Sequence, residues 1–273
     1  MHHVTVSDKT TLYVKDWGAG PPVILLSGWP LTADSWDDQA MVIAGSGYRV
    51  IAYDRRGFGR SSQPWGGYDY DTLADDLASV IQQTGAEGAT VVGFSMGGGE
   101  VARYMSRHGG KSVVRAALIS SVVPCMLKSA DNPQGTEQAA FDEMAGRIRG
   151  DRAQFFAGFF KDFFGVGMLA QPVSSELLNW AWGQAMQASL RATLECVKSF
   201  SGTDFRPDLE AFRVPTLIIH GTADKTVPIA ASGRAAHAGI AGSTLVEYDS
   251  APHGLFATEK HRLSEDLLWF IRR

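Results

Sequence analysis

The chain has 273 residues, of which 45% are hydrophobic and 20% charged, and its formal net charge is −4 at pH 7. This length is enough for one or two domains with a large apolar core. The 25 Lys and Arg residues are scattered and slightly outnumbered by 29 Asp and Glu, which argues against a nucleic-acid-binding surface, because such a surface needs a clustered basic face.

Targeting and metal-binding signals are missing from the sequence. Cys125 and Cys196 are far apart and form no CxxC pair, so neither a disulfide framework nor a zinc site is indicated. The first eight residues have no apolar signal-peptide core, and no run approaches the about 20 apolar residues of a membrane span. No HExxH, ligand-spaced carboxylate cluster or dinucleotide fingerprint occurs. We therefore predict a cytoplasmic protein with no cofactor, metal, membrane or nucleic-acid partner.

The first half of the chain predicts a hairpin followed by buried strands. Alternating residues at 4–6 and 11–14 flank a turn composition at 7–10, which indicates the hairpin. Residues 72–84 have the apolar spacing of an amphipathic helix, with Thr72 and Asp75 spaced like a capping box. Continuous apolar runs predict strands buried on both faces, as in a parallel sheet, at 23–26, 48–53 and 89–94.

The second half continues the alternation after one interruption. Further strands are predicted at 113–123, 214–220 and 245–248, and a closing helix at 263–271 turns Leu263, Leu267, Leu268 and Ile271 inward. Residues 124–206 are rich in aromatics and helix formers and contain no convincing strand. The fold class is therefore α/β, a mostly parallel doubly wound sheet. We predict a core of 1–123 and 207–273, with 124–206 as a helical cap inserted after the sixth strand.

The sequence from Gly93 to Gly97 reads Gly-Phe-Ser-Met-Gly, a G-x-S-x-G pattern between a buried strand and a predicted helix at 96–107. The pattern alone is weak, and its position between strand and helix makes it strong. A serine on a strained turn there is held out at the carboxyl edge of the sheet, and flanking glycines avoid clashes with neighbouring chain. We predict Ser95 as a nucleophile.

A serine nucleophile needs a base and an orienting acid, which follow in the chain order Ser, acid, His. Asp224 comes directly after the predicted strand 214–220, and His253 comes after the next strand. Asp249 and Asp54 are the rival acids, and His220 at its strand end is assigned a structural role. The backbone N–H groups of Met96 and Trp29 are the candidate oxyanion donors, because they follow the nucleophile and the third strand.

These residues resemble the α/β-hydrolase fold and, within it, the cofactor-free haloperoxidases, perhydrolases and arylesterases. The similarity lies in residues 28–31 with 33–36, 53–62, 93–100, 131–133 with Gly135, 220–228 and 251–254. The resemblance implies Ser95 as nucleophile, His253 as base, Asp224 as its orienting acid, and the Trp29 and Met96 amides as oxyanion donors. It also implies hydrolysis of small carboxylic and aryl esters and, with hydrogen peroxide, formation of peracids that oxidise halide outside the site.

Three positions refine this resemblance. Proline after the oxyanion tryptophan, here Pro30, is typical of members with good perhydrolase activity. Most relatives have histidine where this chain has Ser27, so a hydrogen bond near the oxyanion loop is lost or replaced. Serine at the elbow disfavours the related dehalogenases and epoxide hydrolases, whose nucleophile is aspartate.

The substrate pocket is expected to have an aromatic wall. Most of the cap phenylalanines form its core, and Phe159 is predicted to face the pocket with Trp29, Pro30 and Phe94. Such a wall favours a small apolar acyl or aryl group, so a small ester or carboxylic acid plus hydrogen peroxide are the expected partners, and relatives often form homo-oligomers. The alternatives are an amide or γ-lactam hydrolase with the same triad and a catalytically silent ligand-binding protein.

Overall fold

The computed structural model describes residues 3–273, so Met1 and His2 of the N-terminal segment lie outside the described residues. The strands of the described residues form a single eight-stranded sheet. Its strands in chain order are β1 (His3–Thr5), β2 (Thr11–Gly18), β3 (Pro22–Leu26), β4 (Arg49–Tyr53), β5 (Ala89–Phe94), β6 (Val113–Ile119), β7 (Thr216–Gly221) and β8 (Thr244–Tyr248).

The order of strands across the sheet is β1-β2-β4-β3-β5-β6-β7-β8. β1 pairs with β2 antiparallel, which confirms the hairpin, and β2 also pairs antiparallel with β4. All later neighbours are parallel. Every residue of β5 and β7 is buried, as expected for parallel strands covered on both faces. The predicted α/β fold class is confirmed.

Nine helices accompany the strands within residues 3–273. α1 packs against α9, and α2 packs against α3. They are α1 (Asp37–Gly45), α2 (Tyr70–Thr84), α3 (Met96–Arg107), α4 (Gln138–Phe163), α5 (Ser175–Gln187), α6 (Leu190–Gly202), α7 (Gly233–Gly239), α8 (Leu255–Thr258) and α9 (Lys260–Ile271). The described helices include none that is long and apolar enough to cross a membrane.

Three details of the sequence prediction were wrong. The strand predicted at 113–123 ends at Ile119, because Ser120 has φ +42° and leaves the extended conformation. The helix predicted from residue 72 begins at Tyr70, and its N-cap is Asp69, whose carboxylate accepts the Thr72 N–H. In α9 Leu268 is only half-buried, and Phe270 is buried instead.

The helices α4, α5 and α6 lie between β6 and β7, after the sixth strand. Asp151, at φ −150° and ψ 92°, interrupts α4. The second half of α4 buries Phe155, Phe156, Phe160 and Phe163, and Phe163 packs against the ring of His253 at 4.8 Å between centroids. The insertion therefore contacts the edge of the sheet where the predicted site residues lie. The domain boundaries themselves stay a prediction.

Candidate active site

Ser95 stands on a tight turn between β5 and α3. Its backbone has φ 53° and ψ −119°, a conformation that residues other than glycine rarely adopt. A Cβ at Gly97 would lie 2.6 Å from the Leu26 carbonyl oxygen, and one at Gly93 2.5 Å from the Gly97 carbonyl oxygen. Only glycine fits at these two positions, and the strained turn directs the Ser95 hydroxyl to the carboxyl edge of the sheet.

The structure brings Ser95, His253 and Asp224 together. His253 Nε2 lies 2.9 Å from Ser95 Oγ, and His253 Nδ1 lies 2.6 Å from Asp224 Oδ2. Because an ionised carboxylate only accepts hydrogen bonds, the imidazole proton belongs on Nδ1, which leaves the Nε2 lone pair facing the serine hydroxyl. All three side chains are buried. This geometry can deprotonate Ser95 as it attacks a carbonyl carbon.

Asp224 is held as a carboxylate by four donors, which are the backbone N–H groups of Thr226 and Val227 and the rings of His253 and His220. Its Oδ1 accepts the backbone N–H groups of Thr226 at 2.9 Å and Val227 at 2.8 Å. Burial alone would raise the pKa of the Asp224 carboxyl, but the neighbouring His253 and His220 rings outweigh burial and lower that pKa well below its ordinary value. The acid is therefore ionised at neutral pH.

The rival acids lie elsewhere. Asp54 accepts hydrogen bonds from Ala33 N and from the Arg60 guanidinium, and Asp249 is an exposed residue that bonds Thr222. Asp224 is thus the carboxylate that contacts His253.

His220, assigned a structural role from the sequence, also contacts the acid. Its ring is fully buried, and Nε2 lies 2.8 Å from the Val227 carbonyl oxygen and 3.2 Å from Asp224 Oδ2. A carbonyl only accepts, so His220 Nε2 carries the proton. Nδ1 has no hydrogen-bond partner among residues 3–273. No sequence signal revealed this contact, since it requires the loop after β7 to turn back on the strand end.

The two predicted oxyanion donors lie in the same pocket as Ser95. Met96 begins α3, so its N–H has no acceptor inside the helix. The Trp29 N–H takes part in none of the turn and loop hydrogen bonds of the described backbone. The loop is fixed instead by side chains: Ser27 Oγ donates to the Thr32 carbonyl oxygen at 2.7 Å, and Trp29 Nε1 donates to the Thr193 carbonyl oxygen of α6 at 3.2 Å. Both amides remain available for an oxyanion.

A buried ion pair links this loop to α3. Arg55 Nε donates to Glu100 Oε1 at 2.6 Å, and Arg55 Nη2 donates to the Ser27 carbonyl oxygen at 2.5 Å. Tyr53 donates to the other oxygen of Glu100 at 3.0 Å. Glu100 lies just over one turn after Ser95, so the pair connects α3 with Ser27, the residue before Gly28.

Breaking this pair is expected to cost stability. Glu100→Leu leaves the Arg55 guanidinium buried without its counter-ion, and we expect the free energy of unfolding to fall by about 3–5 kcal/mol. The double variant Arg55→Met/Glu100→Leu removes both charges and should recover about half of that loss or more. Urea denaturation of the three proteins measures the effect. An equal loss of unfolding free energy in the single and double variants would show that the buried, unpaired Arg55 charge is not its cause.

The pocket above Ser95 is small and mostly apolar. Its volume is about 30 Å³, and since one water needs about 10–15 Å³, it fits a group of a few heavy atoms. It is lined by Trp29, Ser95, Met96, Val122, Met126, Phe141, Met144, Phe159, Phe200, Thr226 and Val227. Within residues 3–273, no group of three or more His, Cys, Asp or Glu side chains is arranged to hold a metal ion.

Two of the four predicted substrate-binding residues line this pocket. Trp29 and Phe159 do, and their rings contact each other at 5.5 Å between centroids. Pro30 and Phe94 are not among the lining residues. Phe94 packs beneath the site instead, with its ring 5.1 Å from that of His253. The cap residues that complete the lining, such as Phe141, were missed because the sequence does not show which face of the cap they occupy.

The chain is similar to known proteins in sequence and in structure. The sequence model of the alpha/beta hydrolase fold matches residues 21–260. A non-heme chloroperoxidase of Streptomyces lividans is 42% identical over 275 residues, and a bifunctional esterase/perhydrolase of Acinetobacter calcoaceticus is 40% identical over 279, each covering 100% of both chains. The crystal structure of a bromoperoxidase from Bacillus anthracis gives a TM-score of 0.96 at 42% identity and covers 99% of each chain. The similarity therefore extends over the whole length.

Proposed function

The chain belongs to the α/β-hydrolase family, in its group of cofactor-free haloperoxidases and perhydrolases, and we propose that Ser95, His253 and Asp224 are its catalytic residues. It is an ester hydrolase with perhydrolase and haloperoxidase-like activity. The observation that supports the assignment of residues is the pair of hydrogen bonds that joins Ser95 Oγ through His253 to Asp224.

In the first half-reaction Ser95 Oγ attacks the ester carbonyl carbon, and His253 Nε2 takes the hydroxyl proton. Asp224 stabilises the imidazolium and keeps its ring in place. Negative charge develops on the carbonyl oxygen, where the N–H groups of Trp29 and Met96 stabilise it. His253 then returns the proton to the departing alcohol, which leaves an acyl group bonded to Ser95.

In the second half-reaction an oxygen nucleophile attacks the acyl-enzyme, and His253 takes its proton. Water releases the carboxylic acid, whereas hydrogen peroxide releases the peracid; in both cases Ser95 regains its proton from the imidazolium. A carboxylic acid can acylate Ser95 in place of an ester, with water as the leaving group. The peracid oxidises halide to hypohalous acid outside the site and returns to the carboxylic acid.

We propose that the acyl group is small. The space above Ser95 is about 30 Å³ and is lined mostly by apolar side chains, and forcing extra methylenes into a well-packed site costs about 1–3 kcal/mol. For p-nitrophenyl esters we expect kcat/KM to fall at least about 10-fold from acetate to hexanoate, since about 1.4 kcal/mol gives a factor of ten. Equal rates on both esters would contradict the proposal.

A variant pair tests whether the pocket wall sets this preference. Phe159→Ala removes a ring from the wall and should raise the hexanoate to acetate ratio of kcat/KM by about 10-fold. Phe212→Ala is the matched control, because Phe212 is buried but does not line the pocket, and its ratio should equal that of the wild type.

A substrate panel tests the function as a whole. Purified protein is assayed with p-nitrophenyl acetate, with the corresponding acetanilide and a γ-lactam, and with acetate plus hydrogen peroxide and bromide, using monochlorodimedone as the halogenation reporter. We expect ester turnover and peroxide-dependent halogenation. Turnover restricted to amides or lactams would show that the same three residues act on a substrate with an amine leaving group. Absence of all turnover would favour a silent binding protein.

Association into a homo-oligomer stays a prediction, which size-exclusion chromatography tests.

A further inference from the structure

The pocket above Ser95 contains one polar side chain with no role in the mechanism described. Among its lining residues, Trp29 already donates its indole N–H to the Thr193 carbonyl oxygen, and Ser95 is the nucleophile. The remaining hydroxyl is that of Thr226. Among residues 3–273 this hydroxyl forms no hydrogen bond; Thr226 bonds Asp224 only through its backbone N–H. It is the single uncommitted polar side chain of the pocket.

The position of Thr226 is fixed relative to the triad. Its N–H is bound to Asp224 Oδ1 at 2.9 Å, and the next residue, Val227, is bound to the same oxygen at 2.8 Å. Thr226 also lines a second, wider cavity, which shares Phe141, Met144 and Phe159 with the pocket above Ser95. We call this cavity the outer mouth and the pocket above Ser95 the inner pocket. The residue therefore stands where the inner pocket and the outer mouth adjoin.

We propose that Thr226 is a specificity-determining residue that favours hydrogen peroxide over water as the nucleophile. The inference rests on the proposed acyl-enzyme at Ser95. The proximal oxygen of hydrogen peroxide forms the new bond to the acyl carbon, the bond from that carbon to Ser95 Oγ breaks, and the proximal proton passes through His253 to Ser95. The distal oxygen keeps its proton throughout and leaves as part of the peracid.

That distal O–H group is what separates the two nucleophiles. In a pocket with apolar walls it loses its hydrogen bonds to water, and a buried polar group without a partner is unfavourable. The Thr226 hydroxyl can both donate to and accept from it. A water molecule has no second oxygen, and the proton that it keeps stays on the attacking oxygen at the acyl carbon, so attack by water lacks a group at the distal position that we assign to this contact.

The test measures how one acyl-enzyme divides between two products. With p-nitrophenyl acetate and a fixed concentration of hydrogen peroxide, the ratio of peracetic acid to acetic acid is compared among wild type, Thr226→Val and Thr226→Ser. Since both products come from the same intermediate, effects on acylation or on the amount of folded protein cancel in the ratio. We expect Thr226→Val to lower the ratio by about 5- to 10-fold and Thr226→Ser to stay within about 2-fold of wild type.

The control variant is Thr136→Val, which makes the same change at a threonine that lines only the outer mouth, and its ratio should equal that of wild type. An unchanged ratio in Thr226→Val would overturn the proposal, as would an equal fall in Thr226→Ser, which would assign the effect to the methyl group. Either result leaves Ser95-dependent ester hydrolysis in force. Failure of the acyl-enzyme itself would appear differently, as ester turnover that persists without Ser95.

Discussion

Replacing Ser95 with alanine is expected to abolish turnover of p-nitrophenyl acetate while the fold stays intact. Without Oγ no acyl-enzyme forms, and the remaining rate comes from the oxyanion donors and substrate binding alone. Removal of the nucleophile from a serine triad lowers kcat by about 10⁴-fold or more. Peracid formation should disappear together with ester hydrolysis, because both products are released from the same acyl group.

The measurement is kcat for p-nitrophenyl acetate, with circular dichroism and the melting temperature as checks of the fold. A phosphonate that labels serine hydrolases should add once to the wild type, at Ser95, and not to Ser95→Ala. Ser79→Ala is the control, because Ser79 donates to the Asp75 carbonyl oxygen within α2, away from the pocket. Turnover retained by Ser95→Ala at more than about 1% of wild type would reject the proposed mechanism.

The sheet and the proximity of Ser95, Asp224 and His253 were predictable because their signals are local. A continuous apolar run predicts a buried strand wherever it occurs, and β5 follows that pattern over its whole length. Ser95, Asp224 and His253 each follow a strand, and the carboxyl ends of parallel strands meet at one edge of the sheet. Chain order and strand position were therefore enough to bring the three residues together in the prediction.

The contacts between the cap and the oxyanion loop were not predictable in this way. Thr32 donates its N–H and its hydroxyl to Gln184 Oε1 of α5, at 3.0 and 2.7 Å, and Trp29 bonds Thr193 of α6. These partners are more than 150 residues apart in the chain, and their contact depends on how α5 and α6 pack on the sheet. Aromatic content indicated a cap core, but a composition cannot specify which side chain of a helix meets which loop.

Asp224→Asn is expected to lower kcat for p-nitrophenyl acetate by about 10⁴-fold, with little change in the arrangement of the site. Thr226 and Val227 donate to Oδ1, so the amide oxygen takes that place and the NH₂ group takes the place of Oδ2. There it faces His253 Nδ1, which must then accept. The imidazole proton moves to Nε2, where it points at Ser95 and blocks the transfer of the serine proton.

Asp249→Asn is the matched control for this variant. Asp249 is exposed and bonds Thr222, without contact to His253, so its neutralisation should leave kcat within about 2-fold of wild type. A loss of less than 10-fold in Asp224→Asn, or a comparable loss in Asp249→Asn, would show that the carboxylate bonded to His253 is not the orienting acid.

The pH dependence of stability gives an independent measure of the Asp224 carboxylate. Its pKa in the folded protein is lowered, whereas in the unfolded chain it has the ordinary value of about 4. The ionised group therefore contributes stability that is fully present above about pH 5 and is lost as the pH falls through 4 towards the lowered pKa. Asparagine does not titrate, so the difference in unfolding free energy between wild type and Asp224→Asn should shrink as the pH falls from about 5 to 3. Urea denaturation across that range measures it, and a difference that stays constant or grows would mean that the neighbouring histidines do not stabilise the charged carboxylate.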